Sequence, residues 1–136
     1  MTSRVELCAA LADRIRAEAR VASPAECCGL LEGLREAGGF RVCALHPARN
    51  LSLDMDRFEM DPRDQFAAQR AARESGRAII GCYHSHPHGA AQPSAADLSG
   101  ADEEEFLWLI AGAAELRAFV YLRGAFVGAD WVTSSE

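Results

Sequence analysis

The chain has 136 residues, of which 49% are hydrophobic and 25% are charged, a composition typical of one globular domain and not of a disordered segment. Its formal net charge of −6 argues against a nucleic-acid partner held by a basic surface. All 14 cationic residues are arginine, which excludes chemistry that needs a lysine, such as a Schiff base or a phosphate-loop lysine.

The sequence carries no pattern of a targeting segment or a disulfide framework. Residues 1–20 are charged throughout and lack the apolar stretch of a signal peptide, and the longest nearly apolar run, residues 106–114, is too short to span a bilayer. The five cysteines are odd in number and contain no CxxC pair. We therefore expect a cytoplasmic protein without a membrane partner, in which most cysteines are reduced and pack as small apolar side chains.

The first half of the chain alternates helical and extended patterns. Apolar residues at helical spacing, preceded by a capping box of Ser3 and Glu6, predict a helix over residues 3–20. Continuous or alternating apolar residues then predict three strands, at residues 27–31, 39–45 and 57–60.

The second half begins with a well-marked helix, in which Asp61 is the N-cap, Pro62 the first helical residue and Gly76 the residue after the last turn. The other predicted elements are a fully buried strand at 78–83, a helix that starts within 93–97, a buried strand at 106–111 and a hairpin of 116–122 and 125–132. Residues 133–136 are expected to fray. Mixed strands and helices predict a layered α/β or α+β domain.

Two histidines follow the buried strand and are the first candidate metal ligands. His84 and His86 lie two residues apart, so on a strand they point to the same face with Cβ atoms about 6–7 Å apart, close enough to bind one ion. Turn-forming residues then return the chain to Asp97, a candidate third ligand. Two imidazoles and one carboxylate leave a tetrahedral position open, as in catalytic zinc sites. Helix capping alone also accounts for Ser94 and Asp97.

The other possible ligands are less suitable. His46 precedes a proline far from the pair, His88 lies on the loop, and Cys82 is expected to pack in the core. Glu26 is the candidate general base, and its local pattern allows two interpretations. It is either the third residue of a helix that starts at Ser23, or the residue at the start of a strand. The two glycines that follow favour the strand, where a buried carboxylate can have a raised pKa.

These residues together resemble the motif of the JAMM (MPN+) metalloprotease family. That motif is a glutamate on an early strand, then His-x-His-Pro, seven residues between the second histidine and a serine, two residues and Asp. Glu26, His84, His86, Ser94 and Asp97 match it in type and in spacing. The surroundings are similar to short bacterial members at residues 24–33, at Asn50 and at residues 58–62, so the likeness covers nearly the whole chain.

The resemblance implies a cytidine-deaminase-like three-layer α/β/α sandwich with a mixed central sheet, formed by a single domain over residues 1–136. It also implies one zinc ion with His84, His86 and Asp97 as ligands. It makes Glu26 the base that activates the zinc water, and Ser94 a donor to the tetrahedral oxyanion, a role that preorganised donors serve in general.

The resemblance also implies hydrolysis of the amide bond after the C-terminal Gly-Gly of a ubiquitin-like or sulfur-carrier protein, for example a carrier–cysteine conjugate. The chain is short and lacks the insertions by which eukaryotic relatives grip ubiquitin, which argues against cleavage of ubiquitin chains. The alternative is a non-catalytic MPN-type module that binds such a tail. A zinc deaminase is excluded because the His/Cys-x-Glu and Pro-Cys-x-x-Cys patterns are missing.

Overall fold

The computed structural model describes residues 3–133, so the fraying expected for residues 133–136 falls almost entirely outside the described range. The elements in chain order are β1 Arg4–Glu6, α1 Ala9–Ala22, β2 Cys28–Glu36, β3 Gly39–Ala48, α2 Pro62–Glu74, β4 Ala78–Ser85, α3 Ala95–Gly100, β5 Phe106–Ala111, β6 Leu116–Leu122 and β7 Ala125–Val132. No helix in this range has the length and hydropathy needed to cross a membrane.

The seven strands within residues 3–133 form one mixed sheet in the order β1-β3-β2-β4-β5-β6-β7. The pairs β4–β5, β1–β3 and β1–β7 are parallel and the other pairs are antiparallel. The short strand β1 pairs with both β3 and β7, so the curled sheet closes on itself, which the sequence did not predict. Helices are interspersed among the strands along the chain, and the expected α/β class with a mixed sheet is confirmed.

The sheet has a separate apolar core on each face. Leu11 and Ile15 of α1 pack on one face with Leu31, Leu107 and other buried residues. Ala68 of α2 packs on the opposite face, where Cys28, Leu30 and Cys82 contribute to the core. The alternation of side chains along each strand produces the two cores. The fully buried His84 shares the α2 face with Cys82, two residues before it on β4.

Several sequence predictions are confirmed within small boundary shifts. Helix α2 begins at Pro62 with Asp61 as its N-cap, whose side chain accepts from Arg63 N. Gly76 follows it with φ +74°. The hairpin of β6 and β7 has the predicted bounds. Strands β2, β3 and β4 are longer than predicted; β4 extends to Ser85, so His84 lies within the strand and not after it.

The predicted helix over 3–20 is wrong at its start. Residues Arg4–Glu6 are strand β1, and α1 runs from Ala9 to Ala22 without a side-chain cap. Val5 is 0% exposed between β3 and β7, and this long-range pairing outweighs the local capping pattern. The predicted strand at 57–60 is also wrong, because only a single bridge between Asn50 and Met60 forms there.

Candidate metal centre

Three side chains converge where β4 ends and α3 begins. His84 Nε2 lies 3.1 Å from His86 Nε2 and 3.0 Å from Asp97 Oδ2. His86 Nε2 lies 3.2 Å from the same carboxylate oxygen. Ligands about 2.0–2.1 Å from a tetrahedral zinc lie roughly 3.3 Å from one another. The three atoms are therefore spaced as the ligands of one ion would be.

The surroundings of His86 and Asp97 orient these two groups. His86 Nδ1 lies 3.0 Å from the Ala90 carbonyl oxygen, so it donates there and leaves the Nε2 lone pair free for a metal. Asp97 Oδ2 accepts from Ser94 N at 2.9 Å, and Ser94 Oγ accepts from Asp97 N at 3.0 Å. These two bonds form the capping box of α3. The helix-cap interpretation of Ser94 and Asp97 thus holds together with their place in the cluster.

The electrostatics favour the neutral His84 and the ionised Asp97 that metal binding requires, whereas at His86 they favour the proton that a metal ion would have to displace. Burial lowers the pKa of His84, which favours the neutral imidazole. The hydrogen bond to Asp97 raises the pKa of His86. Burial opposes ionisation of Asp97, but the hydrogen bonds from both histidines outweigh it and hold the pKa of this carboxyl well below its usual range. A buried carboxylate with two histidines around it is a suitable site for a divalent cation.

Glu26 lies two residues before β2, so the strand interpretation is correct for this segment although the strand begins at Cys28, and Glu26 lies near the histidines. Ligand atoms of Glu26, His84 and His86 all lie within 4.8 Å of one another. Glu26 is 4% exposed, and within residues 3–133 its Oε1 has no hydrogen-bond partner. Burial raises its pKa to about 7, although the charge of His86 opposes the shift. A carboxyl group with such a pKa can both take up and release a proton near neutral pH.

Strand pairing fixes Glu26 relative to the histidines. Cys28 pairs with His84 in the antiparallel β2–β4 ladder. One residue towards the site, Cys27 N donates to Ser85 Oγ at 2.9 Å and Ser85 N donates to Cys27 O at 3.2 Å. The same register brings Glu26 opposite His86. Ser85 is fully buried, and sequence reasoning did not identify its part in holding the two strand ends together.

Residues 49–61, between β3 and α2, border the same site. Asn50 Nδ2 donates to the Glu26 carbonyl oxygen at 3.0 Å and to Arg57 O at 3.2 Å. Its Oδ1 accepts from Ser52 N and Glu59 N. One amide side chain thus satisfies four backbone groups. The sequence pointed to Asn50 only through family likeness, because nothing in its local pattern shows these contacts.

Two clefts open beside the cluster. One, of about 660 Å³, is lined by Glu26, His86 and Ser94 together with Met55 and Asp56. The other, of about 520 Å³, lies on the Asp97 side and is lined by Phe58 and Trp108 among others. The candidate catalytic groups Glu26 and Ser94 therefore line an open cleft that a substrate could enter.

The remaining histidines and Cys82 are placed as expected. His46 Nε2 lies 2.8 Å from Glu32 Oε1, in a separate ion-pair cluster with Arg77. His88 lines the larger cleft but does not join the convergent group. Cys82 is 4% exposed in the α2-side core, and the five cysteines are free thiols. The fold and the convergent ligand atoms together define a metallohydrolase-type α/β domain.

Comparison with known proteins gives the family. The model of prokaryotic homologs of the JAB domain matches residues 8–122. A desampylase of Haloferax volcanii is 34% identical over 114 residues, which cover 80% of this chain and 81% of that protein. The histone deubiquitinase MYSM1 of Branchiostoma floridae is 41% identical over 78 residues, covering 56% of this chain and 10% of that protein. A solution structure of a Desulfitobacterium hafniense protein has a TM-score of 0.88 and 31% identity, covering 97% of this chain and 94% of that one.

The chain belongs to the prokaryotic branch of the JAB domain family, and the JAMM resemblance of its motif is confirmed. It is accordingly a hydrolase of the JAMM metallopeptidase class, as the motif predicted.

Proposed function

We propose that the chain is a zinc-dependent isopeptidase that cleaves the amide bond after the C-terminal Gly-Gly of a ubiquitin-like or sulfur-carrier protein. The observation that carries the proposal is the convergence of His84, His86 and Asp97, whose ligand atoms lie 3.0–3.2 Å apart. The relatives called desampylase and deubiquitinase remove modifiers of the ubiquitin kind, which supports the substrate class.

Either Glu26 or Asp97 could be the third metal ligand, since both carboxylates lie near the histidines. We assign Asp97 as the third ligand because its Oδ2 lies at ligand spacing from both Nε2 atoms and its backbone is fixed by α3. This set leaves one tetrahedral position open. When bound there, zinc supplies Lewis-acid activation of water and of the scissile carbonyl group.

Glu26 is then free for proton transfer. Its buried carboxylate takes the proton from the attacking water and delivers it to the leaving amine, which becomes a good leaving group only when protonated. The unpartnered Oε1 and the pKa of about 7 support this role. Ser94 Oγ accepts a hydrogen bond from Asp97 N, so its own hydroxyl hydrogen remains available to the oxygen that becomes negative in the transition state.

Metal content and turnover, measured on matched variants, test these roles. A chelator should abolish cleavage of a carrier conjugate, and zinc should restore it. Glu26→Gln should lose turnover by at least about 10³-fold while it keeps about one zinc per chain, because it removes the base and no ligand. Asp97→Asn should lose the zinc. Glu74→Gln, an exposed position at the end of α2, is the control and should match the wild type.

Two results would contradict the assignment. Full turnover by Glu26→Gln removes the proton-transfer role, and loss of zinc from Glu26→Gln with retention by Asp97→Asn reverses the two carboxylates. A wild-type protein without turnover that still binds a Gly-Gly tail in the absence of metal would instead be the non-catalytic binding module.

We further propose small carriers over ubiquitin chains as substrates, because the connections between elements in the described range are short, the longest being residues 49–61, and leave no large insertion to grip ubiquitin. A small Gly-Gly carrier joined to cysteine or to a lysine side chain should be cleaved faster than lysine-linked diubiquitin. The opposite order would favour a ubiquitin-type substrate.

A further inference from the structure

The imidazole of His84 is enclosed by aromatic side chains. The Phe58 ring lies 4.6 Å from it, centroid to centroid, at an interplanar angle of 31°. The Trp108 ring lies 5.7 Å away at 88° and thus meets it edge-on. Trp108 is itself held by Phe126 at 5.0 Å. The fully buried imidazole therefore packs against two aromatic rings, one tilted to it and one nearly perpendicular.

The two histidines differ in how their second ring nitrogen is used. A metal-binding histidine almost always donates its other N–H to an oxygen, which fixes the ring orientation. His86 follows this rule through the Ala90 carbonyl group. In the part of the chain that the structure describes, His84 Nδ1 is buried and has no hydrogen-bond partner. The rotation of the His84 ring is therefore set by the groups around Nε2 and by the packing of its faces, without a hydrogen bond at Nδ1.

We propose that Phe58 is a positioning residue that holds the His84 ring so that Nε2 points at the metal, an inference that rests on the proposed metal site. Phe58 comes from residues 49–61, the segment in which Asn50 bonds to the Glu26 carbonyl oxygen. It approaches the centre from outside the sheet that carries His84. One segment thus orients both the candidate base, through Asn50, and a candidate ligand, through Phe58.

Phe58→Leu tests the role of the ring, because leucine keeps apolar volume and removes the aromatic face. Zinc affinity, measured by competition with a chromophoric chelator, should fall about tenfold, the scale typical of lost support around a metal ligand. Phe58→Tyr keeps the face and should stay within about twofold of the wild type. The control is Phe66→Leu, the same change at an exposed phenylalanine on α2, and it should leave the affinity unchanged.

A second measurement separates positioning from folding stability. The visible absorption bands of the cobalt(II)-substituted protein report ligand geometry, and they should shift in Phe58→Leu but not in Phe58→Tyr or Phe66→Leu. Should Phe58→Leu fail to fold by circular dichroism, Phe58→Met takes its place, since it also lacks the ring but fills space flexibly.

Wild-type zinc affinity and unchanged cobalt bands in a folded ring-less variant would overturn the proposal, as would equal loss in Phe58→Tyr. This failure is distinct from failure of the proposed function. If the wild type binds zinc and Glu26→Gln is inactive, only the role of Phe58 falls. If the wild type binds no zinc at His84, the metal site itself is wrong.

Discussion

Ser94 is assigned two roles that can be separated by substitution. Its Oγ accepts from Asp97 N at 3.0 Å and so caps α3, and its hydroxyl hydrogen is proposed to stabilise the transition state. Ser94→Ala removes both functions. Ser94→Gly removes the hydroxyl but retains a residue type that tolerates the N-cap position. Both variants keep the bond from the backbone N of residue 94 to Asp97 Oδ2, which helps to hold that ligand.

The two roles predict different magnitudes. Loss of the cap should cost about 1 kcal/mol of unfolding free energy in Ser94→Ala and only a few tenths in Ser94→Gly. For a chain of 136 residues, 1 kcal/mol corresponds to roughly 3–5 °C in Tm. Loss of an oxyanion donor costs about 10²–10³-fold in kcat, and this loss should be nearly the same in both variants.

The assay therefore compares kcat, Tm and zinc content for the wild type, Ser94→Ala and Ser94→Gly on one conjugate. We expect full zinc occupancy in all three proteins, a lower Tm mainly in Ser94→Ala, and a similar loss of kcat in both variants. If Ser94→Gly keeps kcat within about threefold of the wild type at full occupancy, the hydroxyl is a helix cap and no more.

Two further predictions concern a buried ion pair and close packing on strand β2, outside the metal site. Glu32, 3% exposed, accepts from Arg77 Nη1 at 2.9 Å and lies 2.8 Å from His46 Nε2. Burial opposes ionisation of Glu32, but these hydrogen bonds outweigh it and lower its pKa from 4.5. The ionised Glu32 therefore stabilises the folded protein fully above pH 4.5, and this stabilisation is lost as the pH falls through the lower folded-state pKa. Glu32→Gln should lower the free energy of unfolding, measured with urea at pH 7, by about 2 kcal/mol. This difference from the wild type should shrink below pH 4.5, and a difference that stays constant with pH would contradict the role of the ionised Glu32. Gly29→Ala would place a Cβ 2.4 Å from the ring of the fully buried Tyr83, so thermal unfolding should show a loss of about 1–3 kcal/mol, and an unchanged Tm would show that the strands can separate to admit it.

The parts of the fold and site that the sequence predicted are those with a local signal. Helix α2 is marked by Asp61, Pro62 and Gly76 within one continuous segment. The His84–His86 pair needs only the two-residue period of a strand to point both rings one way. These signals do not depend on the rest of the chain, so they remain valid in the folded protein.

The parts that the sequence missed depend on distant partners. Strand β1 has only three residues, and its pairing with both β3 and β7 decides its conformation against a local capping pattern. Asn50 and Phe58 lie in a segment without regular structure, so neither period nor propensity indicates that they contact Glu26 and His84. Contacts between segments far apart in sequence are the information that single-sequence patterns lack.

The β2–β4 register joins local strand signals to a long-range contact, because it brings Glu26 close to His84 and His86. Between Cys28–His84 and Leu31–Gly81 the ladder is regular, and its irregularity falls only beyond Leu31, away from the site. A slip of one residue would turn Glu26 to the opposite face of the sheet, where it could not reach the ion. The two hydrogen bonds between Cys27 and Ser85 lie one residue beyond the Cys28–His84 pair, between the ladder and the position where Glu26 faces His86. The chemistry of the site therefore depends on strand pairing as directly as on the identity of its ligands.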